Sequence, residues 1–479
     1  KPDKETNNND SMMSLNLIDD STNLSIIDIN INDDPITDPQ PVQPIQPPKP
    51  PDVVLVADGF GFMPRTPTSP KSKSVEEESP CASSCNIDIV RRYTWTTRNR
   101  MKVQVISFGA TVTSIQVPDR KGVPEDVIAG YDTLEEYFQE RNPYFGATVG
   151  RCANIIRDAT MIVRPKGRMY MLTKNKGRDH YHGGHYGFNK VNWRSYISGN
   201  KVIMSHVSER FEEGYPGAVM CQIMFEVTCD NTLKIEVKCT TSEPTIVNVS
   251  NMLFFNLAGH NSGNQTMLDH IFTINADKYT AVDDDGYITG EKKVVGGTVY
   301  DFRVPKIMKC MLPKIPLGGY DMNFCVTKGT EQDLTFHARY ALHPGSGRVL
   351  EVYSNQPGLQ LYTGNKLPDP ERIIESVFAP DTGADEEKAA DEHTPEEHQH
   401  EEPPNGEVLG EGEGISYGYI PLLGKDGTYY RKHGLFVLMP QNYPDAVNFK
   451  NFPSAVLNPG EVYVHKMQYK FGLLLGRYV

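Results

Sequence analysis

The stretch 219–239, VMCQIMFEVTCDNTLKIEVKC, constrains the fold more than any other. Ile223, Phe225 and Val227 alternate with polar or smaller neighbours. Asp230 and Asn231 follow as a turn, and Leu233, Ile235 and Val237 return on one face with Lys234, Glu236 and Lys238 on the other. A period of two puts successive side chains on opposite faces of a strand, so the segment predicts an antiparallel hairpin with one buried face. KVQVISFGATVTSIQVPDR (102–120) reads as two strands around a glycine, and short strands continue to EVYVHKMQYKFGLL (461–474). Helical spacing is scarce, with TLEEYFQER (133–141) the best candidate. Many short strands divided by Gly, Pro and Asn turns predict an all-β chain folded as a large antiparallel β-sandwich.

Two segments break this pattern. Residues 1–88 are polar, Asn/Asp-rich and then Pro-rich, a composition that cannot offset its own ordering entropy. They are expected to form a disordered tail. Its run DPITDPQPVQPIQPPKPPD (34–52) favours polyproline II and would suit a proline-reading protein partner. PRTPTSPKSKS (64–74) offers Thr/Ser-Pro steps for phosphorylation. The folded domain is expected over 89–479, interrupted by an acidic disordered insertion at about 372–425. His393, His398 and His400 lie among its carboxylates, where a solvated charge run competes with weak metal binding. GEGEG within it has no strand before it or helix after it, so it is not read as a phosphate loop.

The formal net charge is −13, with 61 acidic and 48 basic residues, which argues against nucleic acid or an anionic membrane as the main partner. No run approaches the roughly 20 apolar residues that span a bilayer. The eight cysteines contain no C-x-x-C pair and no zinc spacing, so a reducing cytoplasmic location is expected.

Seven phrases then line up in order: NPYFGATVGRCANII (142–156), HYHGGHYGFNKVNW (180–193), EEGYPG (212–217), NVSNMLFFNLAG (248–259), GYDMNF (319–324), SGRVLEVYSNQPGLQLYTGN (346–365) and QNYPDAVNFKNFPSAVLNPGEVY (441–463). Together they closely resemble the aldose 1-epimerases, or galactose mutarotases, over about 102–471. The resemblance implies a galactose mutarotase-like β-sandwich, a monosaccharide ligand, no cofactor and no metal. It also implies a reaction with two proton carriers: a carboxylate takes the anomeric hydroxyl proton while an imidazole protonates the ring oxygen, and the opened sugar recloses on either face.

Both carriers are replaced here. The family's acid is the His of an N-H-S-Y-F-N-L phrase, which reads N-M-L-F-F-N-L in this chain, with Met252 at the acid's place. The base is the Glu of E-T-Q-N-W-P-D, which reads M-P-Q-N-Y-P-D, with Met439 at the base's place. A thioether has no proton to give and little basicity. By the same resemblance Ile155 stands for a sugar-binding Arg, and Phe254 for a Tyr. Asn154, His182, Asp321 and Gln360 match sugar-binding positions. His182 beside two glycines and Asp321 in a turn also have plain structural explanations.

Three functions follow as expectations. The first is a catalytically impaired, carbohydrate-binding relative of the mutarotases. The second is an active epimerase with substitute carriers, His180, His185 or His433 as acid and Asp445 as base. The third is a scaffold that presents its tails to protein partners. HYHGGH (180–185) does not have the spacing of a common zinc site.

Overall fold

The expected hairpin is formed by Val219–Thr228 and Thr232–Thr241, paired antiparallel with Thr228 opposite Thr232 and Asn231 in the left-handed region at the turn. Cys221, Ile223, Phe225 and Val227 are fully buried, as the period of two requires. The structure is a computed structural model that describes residues 51–64, 88–164, 167–316, 318–327, 334–369 and 420–475. The hairpin lies in a nine-stranded sheet beside the long strand Tyr463–Leu473. A six-stranded sheet packs on that sheet, running Phe254–Phe255, Phe436–Gln441, Gly358–Tyr362, Asp321–Val326, Ala276–Val282 and Ile288–Val294. The two sheets meet through aromatic edges. Phe272 packs against Phe436 with ring centres 4.8 Å apart at 89°, and Phe255 lies 5.9 Å from Tyr469. Neighbouring strands among these all pair antiparallel. The fold is the all-β antiparallel sandwich expected from the sequence.

A five-stranded sheet adds Trp95, Val103 and Val105 to the same core. Its first strand corrects the tail expected over 1–88. Val53–Phe62 pairs with Ile89–Thr97, Val53 opposite Thr97 and Phe62 opposite Ile89, with a bulge between Gly59 and Gly61. The strand hides in the sequence because it follows the proline run directly and contains two glycines. As an edge strand it also buries little: Leu55 is only half-buried and Val56 is exposed. Residues 1–50 and 65–87 lie outside the described residues, and so does most of the Thr/Ser-Pro segment.

The expected helix at 133–141 is a single turn, Leu134–Tyr137, begun by a Thr133–Glu136 capping box. Only Leu134 and Tyr137 are buried on it, so no apolar stripe extends it further. No helix of the described residues is long and apolar enough to cross a membrane.

The insertion's far boundary also needs correcting. Residues 370–419, with His393, His398 and His400, lie outside the described residues, but the chain is described again from Ile420. Lys425, placed at the insertion's end by composition, is buried. Its Nζ donates to Asp126 Oδ2 at 2.7 Å and to the Thr113 carbonyl at 2.9 Å. Asp126 Oδ1 accepts the Ile115 and Ile128 amides at 3.1 and 3.2 Å. Burial alone would raise the Asp126 pKa, but the charge and hydrogen bond of Lys425 outweigh it and hold the carboxyl below its usual value.

Lys425→Met should strand this carboxylate and destabilise the fold by about 3–5 kcal/mol near neutral pH. In the parent the depressed Asp126 pKa gives stability that is present above the unfolded value and lost as pH falls through the folded one. In the variant burial is uncompensated and raises the pKa, so the deficit should shrink as pH drops. Urea melts of both proteins at pH 7 and pH 5 check this; an equal deficit at both values would show that Asp126 is not the stranded group.

Candidate functional site

One face of the six-stranded sheet builds the site. Asn323 pairs with Gln360, and Gln360 with Met439; Asp321 pairs with Tyr362, and both Tyr362 and Phe254 with Val437. Leu359, Leu361, Phe436 and Leu438 alternate with these residues and enter the sandwich core. The other face therefore carries Asp321, Gln360, Phe254, Val437 and Met439 into a cavity open to solvent.

Met252 enters from the neighbouring chain turn. Its amide donates to the Ala147 carbonyl at 2.9 Å, and its own carbonyl accepts the Gly146 amide at 2.8 Å. Met252 and Met439 both line the cavity, at 7% and 1% exposure. Phe254 lines it too, so the floor is apolar.

His182 comes from the opposite wall. It takes a left-handed backbone with φ 50°, and Gly183 follows with φ 93°. A Cβ on Gly183 would stand 1.8 Å from the Gly150 carbonyl oxygen, so the position requires glycine. The His182 ring lies 3.8 Å from the Tyr181 ring centre and 4.8 Å from that of Tyr144. Its Nδ1 accepts the Asn154 amide at 3.0 Å. The ring proton therefore sits on Nε2, which is buried and has no hydrogen-bond partner among the described residues. Burial above all, with help from Lys176, His180 and Lys366, pushes the His182 pKa well below its ordinary value.

The amides form a chain. Gln360 Nε2 donates to Asp321 Oδ1 at 2.7 Å, and Gln360 Oε1 accepts from Asn154 Nδ2 at 3.3 Å and from Gln441 Nε2 at 3.1 Å. Asn154 Oδ1 accepts the Ile155 amide at 2.9 Å. Asn154, His182, Asp321 and Gln360 thus gather on one cavity, together with Met252, Phe254 and Met439. Ile155 does not share it. Its strand pairs it with Tyr181, and it lies outside the cavity wall.

The substitute proton carriers are also elsewhere. His180 is clamped between the Thr173 carbonyl at 2.7 Å and the Tyr215 hydroxyl at 2.6 Å. His185 meets the Lys174 carbonyl, and His433 the Thr363 carbonyl. Asp445, pushed up to about 7 chiefly by burial, is held by Asn448 at 2.7 Å. None of the four lines the cavity.

Two charged residues on the wall, Lys176 and Lys366, have no counterpart among the sequence-predicted site residues. Lys176 Nζ lies 3.8 Å over the Tyr181 ring, a cation–π contact. Its pKa is lowered to about 8, chiefly by burial and next by Lys366, with Asp321 partly offsetting both. Position is the one signal that points to them. Lys176 stands six residues before His182, and Lys366 directly follows the phrase that contains Gln360.

Comparison with known proteins agrees with this fold. The aldose 1-epimerase family model matches residues 91–470. Galactose mutarotase of Bos taurus is 37% identical over 375 residues, covering 78% of this chain and 92% of that protein. Galactose mutarotase of Homo sapiens is 37% identical over 373 residues with the same coverage. In fold, the chain is similar to a crystal structure of an aldose epimerase homologue from C. elegans, with TM-score 0.62, 24% identity, and coverage of 79% of this chain and 97% of that one. The chain belongs to the aldose 1-epimerase family.

The His182 assignment is open to direct measurement. Its ring resonances should stay flat from pH 8 to pH 5, because the neutral Nε2–H form persists well below the ordinary pKa. A midpoint near 6.5 in a selectively labelled sample would mean that the ring is solvated rather than buried.

Proposed function

We propose that this protein binds a small ligand in the cavity but does not accelerate aldose mutarotation. The observation that carries the reading is that Met252 and Met439 line one cavity with Asn154, His182, Asp321 and Gln360. Ring opening needs a donor at the ring oxygen and an acceptor at the anomeric hydroxyl, both within hydrogen-bond reach. Two thioethers supply neither. His182 is a weak replacement, since its Nδ1 is already an acceptor and its ring stays neutral. The galactose mutarotases similar to this chain suggest a monosaccharide as the ligand class.

A second reading has one observation in its favour: Lys176, with its lowered pKa, shares the cavity with the Asp321 carboxylate. Such a pair could move a proton where the two methionines cannot, and the protein would then be a slow epimerase.

Polarimetry on freshly dissolved α-D-galactose separates the two. We expect the rate with protein to match the spontaneous rate; each missing carrier is worth about 10²–10⁴-fold. A saturable protein-dependent rate abolished by Lys176→Met would favour the second reading instead.

Met252→His combined with Met439→Glu should restore measurable catalysis, with little from either change alone, because the two carriers act on one C–O system. The Glu enters a position of 1% exposure, so its folded pKa should lie above its unfolded value. Stability of Met439→Glu should therefore be highest at low pH and fall as pH rises through that raised pKa. A folded double variant that stays at the spontaneous rate would show that cavity geometry, and not only the two side chains, prevents turnover.

A further inference from the structure

From the polarity of the cavity wall, we infer that the ligand is a small organic anion with an apolar body, its charged end held by Lys176, Lys366 and His182. This rests on the reading above that the cavity binds a small ligand, and it replaces the monosaccharide suggested by the relatives with an anion as the preferred occupant.

Donors outnumber free acceptors on this wall. Its own acceptors are largely consumed. Gln360 Oε1 takes two amide donors, Asn154 Oδ1 takes the Ile155 amide, and one Asp321 oxygen takes Gln360 Nε2. Asn154 Nδ2 and Gln360 Nε2 are spent within this chain of amides, but other donors remain. His182 Nε2–H is buried without a partner among the described residues, and Lys176 and Lys366 carry ammonium groups on the same cavity. A buried donor left unmet costs about 1–3 kcal/mol, so this wall calls for an acceptor. Formal charge points the same way. Lys176 and Lys366 stand against the single carboxylate of Asp321, while His182 is neutral and burial pushes the Tyr144 hydroxyl up to about 12, so it too is uncharged. Burial is the main cause of the lowered Lys176 pKa, and the charge of Lys366 is the second.

The floor decides the rest of the ligand. Met252, Phe254, Val437 and Met439 offer no hydrogen bond to a ring of hydroxyls. A sugar lying there would lose water without replacement at each hydroxyl that faces it. An apolar or aromatic body would gain from the same contact, and methionine sulfur packs well against aromatic rings.

Calorimetric titration of the full chain at low ionic strength tests this with benzoate, phenyl phosphate, benzyl alcohol and galactose. We expect benzoate or phenyl phosphate to bind at least tenfold more tightly than benzyl alcohol and than galactose, and to weaken as salt is raised. The better of the two distinguishes a carboxylate from a phosphate head. Lys176→Gln and Lys366→Gln should each weaken the favoured anion by roughly fivefold, the worth of one half-exposed ion pair, and leave benzyl alcohol unchanged. Both side chains reach solvent, and a thermal melt checks that each variant is folded. Galactose binding more tightly than either anion, or anion binding indifferent to both lysine substitutions, overturns the inference. Because the readout is binding, an active enzyme in polarimetry would sink the proposed loss of catalysis while leaving the anion preference to stand or fall separately.

Discussion

The pairing of Gln360 with Asn323 on one side and Met439 on the other governs the rest of the site. That register places Leu359, Leu361, Phe436 and Leu438 in the sandwich core. A slip by one residue would turn those four toward solvent and carry the site residues into the core. Core burial therefore holds the cavity's geometry without any contribution from a ligand. The interlocked amides add to this. Asn154 Nδ2 and Gln441 Nε2 both donate to Gln360 Oε1, and removing Gln360 would leave these donors unmet. Their presence follows from stability as well as from binding. His182 Nε2–H is different, because nothing among the described residues accepts from it. Of the polar groups on this wall, it argues most directly for a ligand.

The sequence made the fold legible where period two coincided with deep burial, as in the hairpin of Val219–Thr228 and Thr232–Thr241. It hid Val53–Phe62, where an edge strand buries little and glycines interrupt the pattern. Lys425 is hidden for the opposite reason. A lysine beside an acidic low-complexity block reads as solvent-exposed, and only its partner Asp126, some 300 residues earlier, makes it a core residue. For the candidate site, local phrases singled out Asn154, His182, Asp321 and Gln360, which line one cavity. The phrases carry no distance between segments. They do not tell that Ile155 falls outside the cavity wall or that Lys176 and Lys366 fall on it. The surrogate carriers His180, His185, His433 and Asp445 fail in the same way, since each has suitable chemistry but is held elsewhere.

The two methionines also make sense as a pair rather than as separate losses. A carboxylate at position 439 would be nearly fully buried, and it would stay ionised only with cations close by. An imidazole at 252 facing methionine at 439 would have no anion to balance its protonated form. Either half alone is thus a buried ionisable group without its counterpart, whereas two thioethers are mutually compatible and pack with Phe254 and Val437. The mouth differs from this floor. Among the described residues that line the cavity, Asp321 is the one carboxylate beside Lys176 and Lys366. The apolar floor and the cationic rim therefore ask for different ends of one ligand: on the anion proposal, an apolar body meets the methionines and the negative charge meets the lysines.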